Sequence, residues 1–324
     1  MPLSFDFPLD KLKTYQGVNP RPNDFDEYWD RALKEMNAVD PQVELVQADF
    51  QAHGAECFHL YFTGVGGARV HAKLLRPARA DKPHPAVLMF HGYTGNAGDW
   101  SDKLAYVAQG YTVAALDCRG QGGLSEDNSD IIGNTYHGQI IRGLDDALNG
   151  RPEKLLFRQI FLDTAQLAKI VMEMPDVDPN RVGATGGSQG GALTIACIAL
   201  EPRVKLAAPF YPFLSDYKRV WEMDQGELAY LELREYFRFF DPNHEKENKI
   251  FETLGYIDIQ NLAPRIKSTI LWAIGLMDTV CPPSSQFATY NKINSEKTMV
   301  FYPDYAHEPL PGLADKIFQF FLKL

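Results

Sequence analysis

A serine hydroxyl is a weak nucleophile at neutral pH. It acts as one when a base takes its proton and a third group orients that base. The sequence holds a segment suited to such a serine, Gly186-Gly187-Ser188-Gln189-Gly190, which fits G-x-S-x-G. The apolar run RVGATG (181–186) enters it and the helical pattern QGGALTIACIALE (189–201) leaves it. That strand–turn–helix context is what the pattern needs to hold a nucleophile on a sharp, strained turn. Glycines on both flanks let strand and helix approach closely, and the helix N-terminus offers N–H groups to a developing anion. The plainer alternative is a Gly/Ser turn with no chemistry.

Two histidines follow Ser188 in the chain, His244 and His307. His244 lies in the charged stretch DPNHEKEN and is expected to face solvent. His307 lies in YAHEPLPG, between the last apolar strand and the final helix. In the Ser, acid, His chain order of this arrangement, that loop is where the base belongs. The acid is expected at Asp278, just past the strand TILWAIG and before the Pro282-Pro283 start of a helix. Asp304, three residues before His307, is the rival, but it follows a later strand than the order requires. An early strand, AVLMF (86–90), runs into His91-Gly92-Tyr93-Thr94-Gly95. The backbone N–H groups of Tyr93 and Gln189 are therefore the candidate oxyanion donors, each worth roughly 3 kcal/mol to a transition state when well aimed. Arg119, in the turn Arg119-Gly120-Gln121-Gly122, is expected to hold loops together. No P-loop, dinucleotide fingerprint or metal-ligand spacing is present, so neither cofactor nor metal is expected.

These residues need a scaffold. Two alternating runs, 56–62 and 69–77, joined by a Gly-rich link, predict an antiparallel hairpin. Continuous apolar runs at 86–90, 112–117, 181–186, 205–210, 269–275 and 298–304 predict strands buried on both faces. Helical stretches at 160–174, 189–201, 284–293 and 312–324 alternate with them. The fold class is α/β, an α/β-hydrolase fold: a mostly parallel sheet with helices on both faces and the hairpin as an antiparallel edge. An opening helix is expected at 24–37, with Asp24 and Glu27 as a capping box and Phe25, Tyr28, Trp29 and Leu33 on its apolar face. The chain is expected to form a single domain over 1–324, with an N-terminal extension (about 1–50) and insertions at about 123–150 and 214–265. The insertions would hang over the sheet's carboxyl edge, where such sheets bind ligands.

Composition narrows the partners. The 324 residues are 45% apolar and 23% charged, with a net charge of -10. An acidic surface argues against nucleic acid or an anionic membrane as partner. The N-terminus MPLSFDFPLDKLKTY lacks the basic start and apolar run of a signal peptide, and no run approaches the ~18 apolar residues of a membrane span. A cytoplasmic location is therefore expected. Cys57, Cys118, Cys197 and Cys281 show no CxxC spacing and are expected as buried thiols.

The motifs GGSQGG (186–191), HGYTGN (91–96), DCRGQG (117–122), the Arg142-Gly143 pair, YPFLSD (211–216), GLMDTVCPP (275–283), YAHE (305–308) and PRPNDFDEYW (20–29) together resemble the acetyl xylan esterase/cephalosporin C deacetylase family, carbohydrate esterase family 7. The resemblance runs nearly the whole length. It implies deacetylation of small acetylated sugars, xylo-oligosaccharides and cephalosporins. It puts Ser188, Asp278 and His307 on the family's triad and Tyr93 and Gln189 on its oxyanion positions. It also implies an intracellular homohexamer. Ser215 departs from the family pattern, where Cys is expected. Tyr93, Phe213 and Leu276 are bulky residues near the proposed centre and are expected to restrict the site to short acyl chains. Other chemistry on the same residues (peptide or lactone hydrolysis, acetyl transfer to a sugar) and a non-catalytic scaffold are the alternatives.

Overall fold

The computed structural model describes residues 5–80, 82–133, 138–225 and 228–324. Short stretches of both expected insertions and the first four residues lie outside the described residues.

Nine strands form one sheet: β1 (Glu44–Gln47), β2 (Ala55–Thr63), β3 (Arg69–Pro77), β4 (His84–Phe90), β5 (Thr112–Leu116), β6 (Val177–Gly187), β7 (Leu206–Phe210), β8 (Thr269–Gly275) and β9 (Lys297–Tyr302). Their order is β1-β2-β3-β5-β4-β6-β7-β8-β9. The first three strands and the β3–β5 pair are antiparallel, and the rest run parallel. The predicted hairpin is β2–β3, in register from Ala55 opposite Pro77 to Thr63 opposite Arg69. It is not the edge, because β1 adds outside it. All four β1 residues are exposed, so no apolar alternation marks this strand in the sequence.

Twelve α-helices complete the described chain. In chain order the first four are α1 (Leu9–Leu12), α2 (Phe25–Ala38), α3 (Leu104–Ala108) and α4 (Leu144–Leu148). The long α5 (Leu156–Met172) comes next, and α6 (Gln189–Leu200) follows β6. Between β7 and β8 lie α7 (Tyr217–Glu222), α8 (Leu231–Phe240), α9 (Glu247–Leu254) and α10 (Ile259–Leu262). Then come α11 (Pro283–Tyr290) and α12 (Leu313–Phe321).

The helix at 25–38 opens where the sequence predicts, but the capping box does not form. The Asp24 side chain makes no capping bond to a backbone N–H of its helix. Its carboxylate accepts the Tyr256 hydroxyl at 2.5 Å and pairs with Arg31 at 3.5 Å. A remote tyrosine hydroxyl and an arginine of the same helix thus take the oxygen atoms that a local cap would use. Phe25, Tyr28 and Trp29 are buried as expected, and Leu33 is half-buried.

The sheet is covered on both faces. Along β4, Ala86, Leu88 and Phe90 join the large core under α5 and α6, whereas Val87 joins a second core with α12. Met89 packs against that second core too. This alternation explains why β4 reads as a continuous apolar run, since neither face meets water. The parallel register also sets the site: Phe90 lies opposite Gly186, Gly187 opposite Phe210, and Gly275 opposite Tyr302. The carboxyl ends of β4, β6, β7, β8 and β9 are therefore level, and the loops leaving them share one edge.

Candidate active site

Ser188 sits between β6 and α6 with φ 56° and ψ -121°. A non-glycine residue at positive φ is strained, and here the sharp turn forces it. The turn is held by Ser188 N–H donating to Phe210 O at 3.1 Å and Phe213 N–H donating to Ser188 O at 3.0 Å. Gly190 leaves no slack: a Cβ there would lie 2.1 Å from Phe90 O. The strand end of β4 and the first turn of α6 thus meet with only a hydrogen between them.

His307 and Asp278 reach this serine from the loops after β9 and β8. His307 Nε2 lies 3.0 Å from Ser188 Oγ. His307 Nδ1 lies 2.8 Å from Asp278 Oδ2. Asp278 is fully buried, and its other oxygen accepts the N–H groups of Val280 (2.9 Å) and Cys281 (2.8 Å). With its oxygen atoms spoken for, the carboxylate has a fixed orientation, which assigns the Nδ1–H tautomer to His307 and leaves Nε2 free to accept from the serine. The Tyr211 ring packs against His307 with centroids 4.7 Å apart. Such a chain can deprotonate Ser188 as it attacks a carbonyl. His244 stays outside it, exposed and 3.0 Å from Glu247.

Tyr93 follows β4 on the same edge, and Gln189 opens α6. The first N–H groups of a helix have no partner within it, so that of Gln189 is available to an anion. The Tyr93 and Phe213 rings meet edge-on with centroids 5.4 Å apart. Leu276 is half-buried and packs against the same core. A cavity of about 440 Å³ opens at the site, lined by Gly92, Ser188, Tyr211 and His307 among others.

A family model described as acetyl xylan esterase (AXE1) matches residues 1–324. The chain belongs to the acetyl xylan esterase family. With membership comes the enzyme class, a carboxylic ester hydrolase. The structure of acetyl xylan esterase 1 from Thermoanaerobacterium sp. is similar at 59% identity over 98% of this chain and 99% of that one, with a TM-score of 0.96. An acetyl xylan esterase from Paenibacillus sp. R4 is similar at 34% identity, over 98% and 99% of the two chains, with a TM-score of 0.91. Acetyl esterase Axe7A of Xylanibacter ruminicola is 26% identical over 311 residues, 93% of this chain; the chain spans 66% of that protein's length.

In this esterase the loop after β4, His91–Gly95, is fastened from behind by side chains whose contacts the sequence does not reveal. His91 Nε2 accepts the Cys118 N–H at 3.0 Å, and its Nδ1 lies 2.7 Å from Gly92 O. Burial lowers the His91 pKa, which keeps the ring neutral and able to accept. Asp117 accepts from Ala97 N–H (2.6 Å) and Leu124 N–H (2.9 Å), and lies 2.6 Å from buried His71. Burial alone would raise the Asp117 pKa, but the His71 bond and the two N–H donors outweigh it and lower it. Arg119 holds Asp163 through two bonds (2.6 and 2.7 Å) and donates to Val65 O, all buried, in the loop-binding role expected of it.

All four cysteines are free and buried. Cys281 stands beside Ser188 and Asp278, and burial first, then the Asp278 charge, pushes its thiol well above the usual range. It stays protonated and does not compete as a nucleophile. Among the described residues, Asp278, Cys281 and His307 are the one Asp/Cys/His grouping near enough to hold a metal. His307 Nδ1 is already committed to Asp278 there. Among the described residues, no helix is long and apolar enough to cross a membrane.

Proposed function

We propose that this esterase removes acetyl groups from small acetylated carbohydrates such as xylo-oligosaccharides, and from cephalosporin C, in two acyl-transfer steps. The observation that carries the mechanism is the unbroken chain Asp278–His307–Ser188 at 2.8 and 3.0 Å, ending on a serine at φ 56°. Ser188 Oγ attacks the ester carbonyl carbon, and its proton passes to His307 Nε2. Asp278 stabilises the resulting imidazolium. The tetrahedral oxyanion rests on the N–H groups of Tyr93 and Gln189. The carbon–oxygen bond to the sugar then breaks, and His307 returns the proton to the leaving alcohol. Water, deprotonated by His307, attacks the acetyl-Ser188 ester and releases acetate.

Tyr93, backed by the fully buried Phe213, and Leu276 are the bulky residues that select a short acyl group. The likeness to two solved acetyl xylan esterases supports acetylated xylan as the substrate class. The family likeness supports a homohexamer. Hydrolysis of p-nitrophenyl acetate, butyrate and octanoate by wild type and Ser188→Ala tests this. The expected result is strong preference for acetate, abolished by Ser188→Ala. Activity that survives Ser188→Ala would remove the serine mechanism, and equal rates on acetate and octanoate would remove the short-acyl selection.

A further inference from the structure

One buried side chain outside the proposed triad joins three remote segments. Glu232, on α8, is 5% exposed. Its Oε1 accepts the Tyr93 hydroxyl, and its Oε2 accepts the Ile141 N–H at 2.9 Å. The Tyr93 oxygen in turn accepts the Gln139 N–H at 3.2 Å. The packing is close: Gly138 has φ 100°, and a Cβ there would lie 2.2 Å from Glu232 Oε2. Burial raises the Glu232 carboxyl to about 7, against the lowering effect of these hydrogen bonds. A carboxyl in such a place is costly unless its partners matter.

What the cluster holds is the tip of the oxyanion loop. Gly92 and Gly95 carry no side chain, so Tyr93 is the large anchor of that tip. The loop is pinned behind by Gly122 N–H to Gly95 O (2.9 Å) and by His91 on Gly92 O. In front, the Tyr93 ring is bounded by Phe213, which packs on Tyr230 with centroids 4.4 Å apart. Fixing the phenol at its oxygen therefore restrains the backbone at its other end, which carries the N–H proposed as an oxyanion donor.

We propose that Glu232 is a positioning residue for ester hydrolysis, holding the Tyr93 N–H and ring in place through the Tyr93 hydroxyl. This rests on the oxyanion role given to Tyr93 above. A hydrogen bond that only glues the fold would change stability and leave turnover alone. One that aims an oxyanion donor changes kcat with little effect on KM, because the charge it meets exists only in the transition state.

The test is steady-state hydrolysis of p-nitrophenyl acetate by the full chain, wild type and Ser188→Ala alongside Tyr93→Phe, Glu232→Gln and the double variant, with thermal melts of each. We expect each single change to lower kcat about tenfold, well short of losing a whole oxyanion donor, with KM held within about twofold. The double variant falls no further than the worse single one, since both cut the same link. Tyr93→Phe removes only a hydroxyl, so it reports even if Glu232→Gln does not fold. A lowered melting temperature with unchanged kcat, or losses that multiply in the double variant, would overturn the proposal while leaving the triad intact. Wild-type activity that Ser188→Ala retains would overturn the underlying mechanism instead, and this proposal with it.

Discussion

Gly190→Ala separates helix propensity from site geometry. In an ordinary helix, alanine is better than glycine by about 1 kcal/mol, so a neutral site would gain stability. Here the new methyl carbon would lie 2.1 Å from Phe90 O and 2.8 Å from Phe90 C. Both are backbone atoms, which cannot swing aside as a flexible side chain would. Ordinary contact begins near 3.4 Å, so β4 and α6 must part by roughly 1 Å. The proposed donors lie on the two parts being separated: Gln189 precedes Gly190, and Tyr93 follows the end of β4. A misplacement of that order costs about 10²-fold in rate, close to the roughly 3 kcal/mol of one oxyanion donor. The expected outcome is a folded protein whose kcat on p-nitrophenyl acetate falls about a hundredfold. A folded Gly190→Ala protein with kcat within about threefold of wild type would refute the reasoning, because strand and helix could then part without opening the hole.

Arg119→Met should lower stability by about 3–5 kcal/mol, since it leaves the Asp163 carboxylate buried and unpaired; an unchanged denaturation midpoint would show that the pair holds nothing. Asp258 is wholly buried, and burial first, then the Asp216 charge, raises its carboxyl to about 7. The folded state therefore keeps a proton that the unfolded chain gives up above about pH 4, so the contribution of Asp258 to stability is fully present below that pH and is lost as pH rises towards 7. Melting temperature against pH should fall less steeply over this window in Asp258→Asn, and parallel slopes would contradict it.

Much of this architecture is legible in the sequence because it depends on local pattern. β4, β5 and β7 read as apolar runs because both faces are covered, and the Ser188 turn reads as glycines flanking a serine between strand and helix. The fold class follows from that alternation. What escapes is whatever depends on distant partners or lacks a pattern. β1 has no buried residue to mark it. The Asp24 carboxylate looks like a cap until Tyr256, on the far side of the chain, takes it. Glu232 lies 139 residues from Tyr93 and reads as one more charge on an amphipathic helix. His91 offers a weak signal as the histidine of a His-Gly strand exit, but nothing local reveals that its ring receives the Cys118 N–H.

The backbone at Ser188 sets folding against turnover. A residue with a Cβ pays about 1–2 kcal/mol to hold a left-handed conformation, and glycine is spared that cost. The one position where the hydroxyl is indispensable is thus a position where the fold alone would favour its loss. Improvement of this esterase by heat selection without an activity screen would drift towards inert, more robust proteins at residue 188. The same drift would reach the buried carboxyls at 232 and 258, which are likewise held in settings that isolated folding disfavours. A stabilisation campaign does best to freeze these positions and seek its gains on the solvent-facing helices.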